Sequence, residues 1–124
     1  MIVEKPLRIG ATIRELLMTS RVVVVAVDGR IYPYTTQVET NAPHIVYDGV
    51  SVAFAQTKDG EVPETIDLTI NCNTTDYAKG IDLAEAVIDV FADHGDIAVT
   101  YASCEYDNGA NMFTHSITIQ ITVE

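Results

Sequence analysis

Polar and apolar residues alternate along this chain with two periods, and the switches between them predict the elements. In Thr65–Asn73, "TIDLTINCN", Ile66, Leu68, Ile70 and Cys72 fall on one side. Thr65, Asp67, Thr69 and Asn71 fall on the other, the period of two that a half-buried strand needs. "SITIQITV" repeats it, with Ile117, Ile119, Ile121 and Val123 inward and Ser116, Thr118, Gln120 and Thr122 outward. His44–Phe54, "HIVYDGVSVAF", alternates with a break at Gly49, where a bulge or bend is expected. "AQTKDGEVPE" reads as a loop with Asp59-Gly60 as its turn. The strands on either side of it then form a hairpin with a long tip. Ile97–Tyr106 and Phe113–Val123 flank the turn sequence "DNGAN" and form a second hairpin.

Two segments carry the helical period. Residues 7–18, "LRIGATIRELLM", place Leu7, Ala11, Leu17 and Met18 with Ile13 and Leu16 in near-helical spacing, weakened by Gly10. "TTDYAKGIDLAEAVIDVFADHGD" is capped by Thr75 or Asp76 and ended by His94-Gly95. Its apolar stripe is Ile81, Ala84, Val87, Ile88 and Phe91. "SRVVVVAVDG" is open. Its β-branched valines favour strand, yet Ser20 would cap a short helix that Asp28-Gly29 stops. The order α, β-hairpin, α, β-hairpin predicts a two-layer α+β fold, an antiparallel four-stranded sheet with two helices on one face. Its expected core holds Ile66, Leu68, Ile70, Val87, Ile88, Phe91, Ile117, Ile119 and Ile121.

Composition narrows the class. At 124 residues and 48% hydrophobic, the chain is expected to be one ordered domain, 1–124. The start, "MIVEKPLRIGATIRELL", lacks the basic-then-apolar plan of a signal peptide. No run reaches the roughly 18 apolar residues of a membrane span, so synthesis and folding in a cytoplasm are expected. Net charge is -11 and the seven Lys and Arg do not cluster. That disfavours nucleic-acid binding through a basic patch and attachment to an anionic membrane. An acidic surface is mostly a solubility device, and it also suits a passage through which DNA slides without sticking. Cys72 and Cys104 are too few for a disulfide framework and read as small buried hydrophobes. One disulfide between them stays open if their strands are neighbours.

Reactive constellations are scarce. His44, His94 and His115 sit in three different elements, without HExxH or CxxC spacing, so neither metal nor cofactor is expected. His94 is more simply a dipole partner at a helix C-terminus. No GxSxG, GxGxxG or Walker loop occurs. Asp76, Asp82, Glu85, Asp89 and Asp93 would do acid–base work if buried; a solvated helix face accounts for them more simply. Six tyrosines without a tryptophan suit a half-wet protein interface, with partly buried core tyrosines as the plainer account. No catalytic residue is expected. The rival classes are a small α+β enzyme using carboxylates near Tyr101–Asp107, or a monomeric binding module with an acidic pocket.

The stretch "DGRIYPYTTQVETNAPHIVYDGVS" carries a resemblance. Gly29–Pro33 and Ala42–Ser51, then "DLTINC", the "DYAKGIDLAEAVIDVF" helix and the final hairpin, follow the order of a known family. Over most of residues 7 to 124 the chain resembles the tail-completion (tail terminator) proteins of long-tailed bacteriophages and prophages. The resemblance implies a virion structural protein: a ring of six copies capping the tail tube and offering a surface to the head–tail connector. Its partners would be itself, the tail tube protein and the connector protein, with DNA passing through unbound. It would be assembled in the bacterial host cytoplasm and reside in the virion tail. The physical reading fits beside it. Pro33 ends the Ile31-Tyr32 piece, and Pro43 holds Ala42 extended and launches the next strand. Polar Tyr34–Asn41 between them is long enough to touch a neighbour, with an ordinary solvated loop as the alternative. Arg30, Tyr32, Tyr34, Gln37 and Glu39 are the expected interface residues, together with the tip of the 51–64 hairpin.

Overall fold

The structure, a computed structural model, describes residues 6–33 and 43–123. After a 3-10 turn at Pro6–Arg8 come α1 (Ile9–Met18), α2 (Arg21–Val27), β1 (Ile31–Pro33), β2 (His44–Thr57) and β3 (Gly60–Thr74). Then follow α3 (Tyr77–Ala92), β4 (Ile97–Asp107) and β5 (Met112–Thr122). The five strands make one sheet in the order β1-β2-β3-β5-β4. β1 runs parallel to β2, and the other neighbours are antiparallel.

The class is α+β, as the pattern predicts, but two details are corrected. The sheet is five-stranded and mixed, not four-stranded and antiparallel, because Ile31–Pro33 pairs with Ile45–Tyr47. Among the described residues there are three α-helices in place of two, because the valine run is helical. Ser20 Oγ accepts from Val23 N at 3.3 Å and caps it; Asp28 and Gly29, both left-handed, stop it. Burial of Val23 and Val27 against the neighbouring helices outweighs the strand preference of the valines.

The core lies between the helices and one sheet face. Along β3, Ile66, Leu68, Ile70 and Cys72 are buried, and along β5 Ile117, Ile119 and Ile121, as the period of two requires. From α3 come Leu83, Ala84, Val87 and Phe91. Ile81 and Ile88 are only half-buried, so the expected stripe lies slightly off the true one. In α1 the buried set is Ile9, Ile13 and Leu17 at i, i+4 and i+8, while Leu7, Ala11 and Met18 are exposed. Gly10 explains the shift: a Cβ there would come 2.5 Å from the Tyr47 ring, so its absence lets the helix settle on that tyrosine.

The expected loop at 55–64 is also corrected. Ala55↔Val62, Gln56↔Glu61 and Thr57↔Gly60 continue the ladder, leaving only Lys58 and Asp59 as the turn. Pro63, which has no N–H to donate, sits at the register slip between Ala53 and Phe54. The bulge expected at Gly49 lies between Asp48 and Ser51, and Gly49 has φ +68°.

Cys72 and Cys104 are free. Each aligns with His115, one from each side, so β5 separates them. Two strand spacings come to about 9–10 Å, beyond the roughly 7 Å over which a disulfide closes. Burial pushes the Cys72 thiol up to about 12, which keeps it protonated and unreactive.

Candidate interaction surfaces

Alternation puts every second residue of the sheet on the face without helices, and there the side chains bond to one another across strands. Asn71 Nδ2 donates to Asp48 Oδ2 at 3.2 Å, and Ser116 Oγ donates to Asn71 Oδ1 at 2.7 Å. Thr114 Oγ1 donates to Asn73 Oδ1 at 2.7 Å, and Asn73 Nδ2 lies 3.2 Å from His44 Nε2. Gln120 Nε2 donates to Asp67 Oδ1 at 3.3 Å. The described strands carry no lysine or arginine, while Asp48, Asp67 and Glu105 stand opposite residues of this polar set. The result, among the described residues of the strands, is a hydrogen-bonded, anionic surface with no lysine or arginine to hold a phosphate.

The three histidines are dispersed. His44 belongs to the polar face and His115 to the helix side, and His94 follows the C-terminal end of α3. Among the described residues no group of three His, Cys, Asp or Glu is placed to hold a metal ion. Asp107 Oδ1 accepts from the backbone N–H of Gly109 and Ala110, so it closes the β4–β5 turn. Tyr101 and Glu105 are exposed on edge strand β4. The carboxylates near Tyr101–Asp107 therefore line up along an edge.

His115 is buried, and neither ring nitrogen has a hydrogen-bond partner among the described residues. Burial lowers its pKa below the ordinary 6.5. A native pKa below the unfolded one means the unfolded chain takes up the proton first. The contribution of neutral His115 is thus fully present above about pH 6.5 and is lost as pH falls from there toward its native pKa. Thermal midpoints of the wild type should fall more steeply below pH 6.5 than those of His115→Phe. Parallel curves would refute this.

The expected interface residues divide. Arg30 is half-buried and braces both ends of the connection: its Nε donates to the Pro43 carbonyl at 3.1 Å, and its own carbonyl accepts from Ile45 N at 2.9 Å. Tyr32 is half-buried in β1 beside Val46. Tyr34, Gln37 and Glu39 lie outside the described residues.

Two further surfaces stand out: the first is the expected hairpin tip, and only the second escapes sequence reasoning. The first is the ribbon where β2 and β3 run past the end of β5, with Phe54 51% and Val62 44% exposed. The second is a cleft of about 450 Å³ lined by Val22, Ala26, Pro43 and Leu83, with Thr74, Lys79 and Asp82 also lining it. Tyr47, Cys72 and His115, whose ionisation burial displaces, are not among the residues lining the cleft. No helix of the described residues is long and apolar enough to cross a membrane.

The chain matches no family model. No curated protein matches it either. Among solved structures it is similar to a chain of the "Virion of native gene transfer agent (GTA) particle", at 21% sequence identity and a TM-score of 0.75. The likeness covers 93% of each chain, and at this identity it is a likeness of fold.

Proposed function

We propose that this protein is a structural component of a phage-like virion that completes the tail. Copies of the chain, six by the family resemblance, form a ring on the end of the tail tube and present a surface to the head connector. The observation that carries this reading is the fold shared with a gene transfer agent virion chain over 93% of both chains. The motif order from Gly29 to the last hairpin supports the narrower assignment to tail terminators. The role is non-enzymatic: a ring needs shape and contacts, and the features described above are surfaces for contact.

The polar sheet face suits the channel of such a ring. DNA in transit meets carboxylates and amides and no lysine or arginine on the described strands, so it passes without the counterion release that drives binding. The ring closes by a heterologous contact, one patch meeting a different patch on the next copy. Tyr32, Tyr34, Gln37 and Glu39 contribute to contacts between copies, with Arg30 fixing the ends of the connection.

The test is deletion of the gene from the element that encodes it, followed by electron microscopy of the particles. Tails of uncontrolled length and heads left unjoined are expected, with recovery when the gene is supplied in trans. Normal infectious particles without the gene would overturn the reading. Tyr32→Asp with Tyr34→Asp should reproduce the deletion; normal particles from that variant would remove these two residues from the interface.

A further inference from the structure

Buried polar groups are nearly always hydrogen-bonded, and His115 is an exception: neither ring nitrogen has a partner among the described residues. Cys72 of β3 and Cys104 of β4 stand across from it in the ladder, and Phe113 and Ile117 flank it on its own strand. The first turn of α3 closes over the ring. Tyr77 lies 5.8 Å away between ring centroids, and a Cβ at Gly80 would fall 2.7 Å from Nδ1 and Cε1. These neighbours supply thiols, a phenol and apolar carbon, and no carboxylate. The charged groups of the turn are engaged elsewhere. The Asp76 carboxylate accepts from Lys79 N at 3.1 Å, and Lys79 and Asp82 line the α2–α3 cleft. A proton on His115 would place a charge where burial opposes it and none of these neighbours balances it.

We infer that the first turn of α3, residues 77–80, is a proton-sensitive flap that lifts from β5 when His115 is protonated. Two effects oppose a charged ring in the closed form. One is its burial, and the other is the positive end of the helix dipole, since Tyr77 and Gly80 belong to the N-terminal turn. Lifting the turn lets water reach the ring and relieves both. The turn is also the lightly held end of its helix. Tyr77 is 54% exposed, and the fastenings are polar. Lys79 N donates to the Asp76 carboxylate, while Gly80 N at 3.0 Å and Thr74 Oγ1 at 2.9 Å donate to the Asp76 carbonyl. Beyond the turn Leu83, Val87 and Phe91 are sunk in the core, so an opening can stop there at less cost than global unfolding. Burial holds the His115 pKa below 6.5 in the closed form, and exposure returns it toward 6.5 in the open form. The open form thus takes up the proton first. The flap is closed above about pH 6.5, and its opening grows as pH falls toward the closed-form pKa. Thr74, Lys79 and Leu83 wall the cleft, so the same proton reshapes a surface that His115 does not line. The flap is a property of the single chain and stands or falls apart from the tail role.

The experiment is amide hydrogen exchange by NMR on the purified full-length chain between pH 7.5 and 5.5. Each rate is corrected for the intrinsic pH dependence of exchange, and the His115 ring signals are titrated in the same samples. The Lys79 and Gly80 amides should be protected at least about tenfold less than those of Val87 and Phe91, the mark of a local opening. Their protection should fall severalfold further from pH 7.5 to 5.5. One group with an ordinary pKa of about 6.5 caps that fall at about tenfold. The midpoint of the fall should coincide with that of the His115 ring signals. In His115→Phe and His115→Leu the pH dependence of these two amides should vanish, in whichever variant circular dichroism shows to be folded. If neither folds, the wild-type midpoints decide, coincidence supporting the flap and separation overturning it. Protection of Lys79 and Gly80 that ignores pH, or that changes alike in the variants, would overturn the inference. Equal protection along the whole of α3 would do the same, because release of the ring would then need global unfolding.

Discussion

Leu68→Ala should cost about 2–5 kcal/mol of folding stability, the range for truncating a fully buried leucine. Leu68 is 1% exposed at the middle of β3, the central strand. Ile119 of β5 lies directly across from it, Ile66 and Ile70 flank it on the same face, and α3 packs over both strands. Strands bonded on both sides cannot close in on the void, so the cavity contribution persists beside the lost transfer energy. In urea the midpoint should fall with the slope unchanged, since native and unfolded surfaces stay the same. By contrast Val22→Ala, on the solvent side of α2, should stay within about 0.5 kcal/mol. A loss below about 1 kcal/mol for Leu68→Ala would mean that this face of β3 is not packed as described.

The two central strands were the most legible part of the sequence. β3 and β5 each bury one face under helices and leave the other polar, so the alternation of Ile66–Cys72 and Ser116–Val123 predicts both face and depth. The α3 cap was narrowed to Thr75 or Asp76, and it is Asp76, whose carboxylate accepts from Lys79 N at 3.1 Å. Legibility failed where tertiary contacts decide. The valine run becomes helix because Val23 and Val27 pack on neighbouring helices, information that intrinsic preference does not hold. β1 is three residues long, and its parallel pairing with β2 leaves no local signature. The ribbon was legible as a long hairpin tip but not as paired strand, because turn-like and polar residues, Gln56 to Glu61, form a ladder that needs only backbone groups.

The candidate surfaces were legible in a different measure. The prolines at 33 and 43 were legible as brackets of the connection, whereas Arg30, expected at an interface, ties its ends through Pro43 and Ile45, a role the sequence did not signal. The α2–α3 cleft gives no linear signal. Val22 and Val25 count as exposed only once α2 is known to be a helix with Val23 and Val27 facing inward. Likewise the cation-free sheet becomes meaningful only when its outer side chains are seen to share one uncovered face.

Gly80→Ala should destabilise the chain, reversing the sign expected of glycine inside a helix. In an exposed helix the change gains about 1 kcal/mol. Here Gly80 is buried in the first turn of α3, and a Cβ would fall 2.7 Å from Cε1 and Nδ1 of His115 and from Oγ1 of Thr74. Neither neighbour has room to yield. His115 is buried under the helix with Tyr77 beside its ring, and Thr74 Oγ1 is held by its bond to the Asp76 carbonyl at 2.9 Å. Overpacking of this kind costs about 1–3 kcal/mol, enough to outweigh the helix gain. Gly80→Val should cost about 3 kcal/mol or more, because its larger branched side chain adds strain while its helix gain over glycine is smaller than alanine's. A double-mutant cycle isolates the cause. With His115→Ala as background the ring is gone, and the cost of Gly80→Ala should shrink in chemical denaturation, leaving the share that comes from Thr74 Oγ1. If Gly80→Ala raised the stability of the otherwise unchanged chain, the close seating of α3 on β5 at His115 would be wrong.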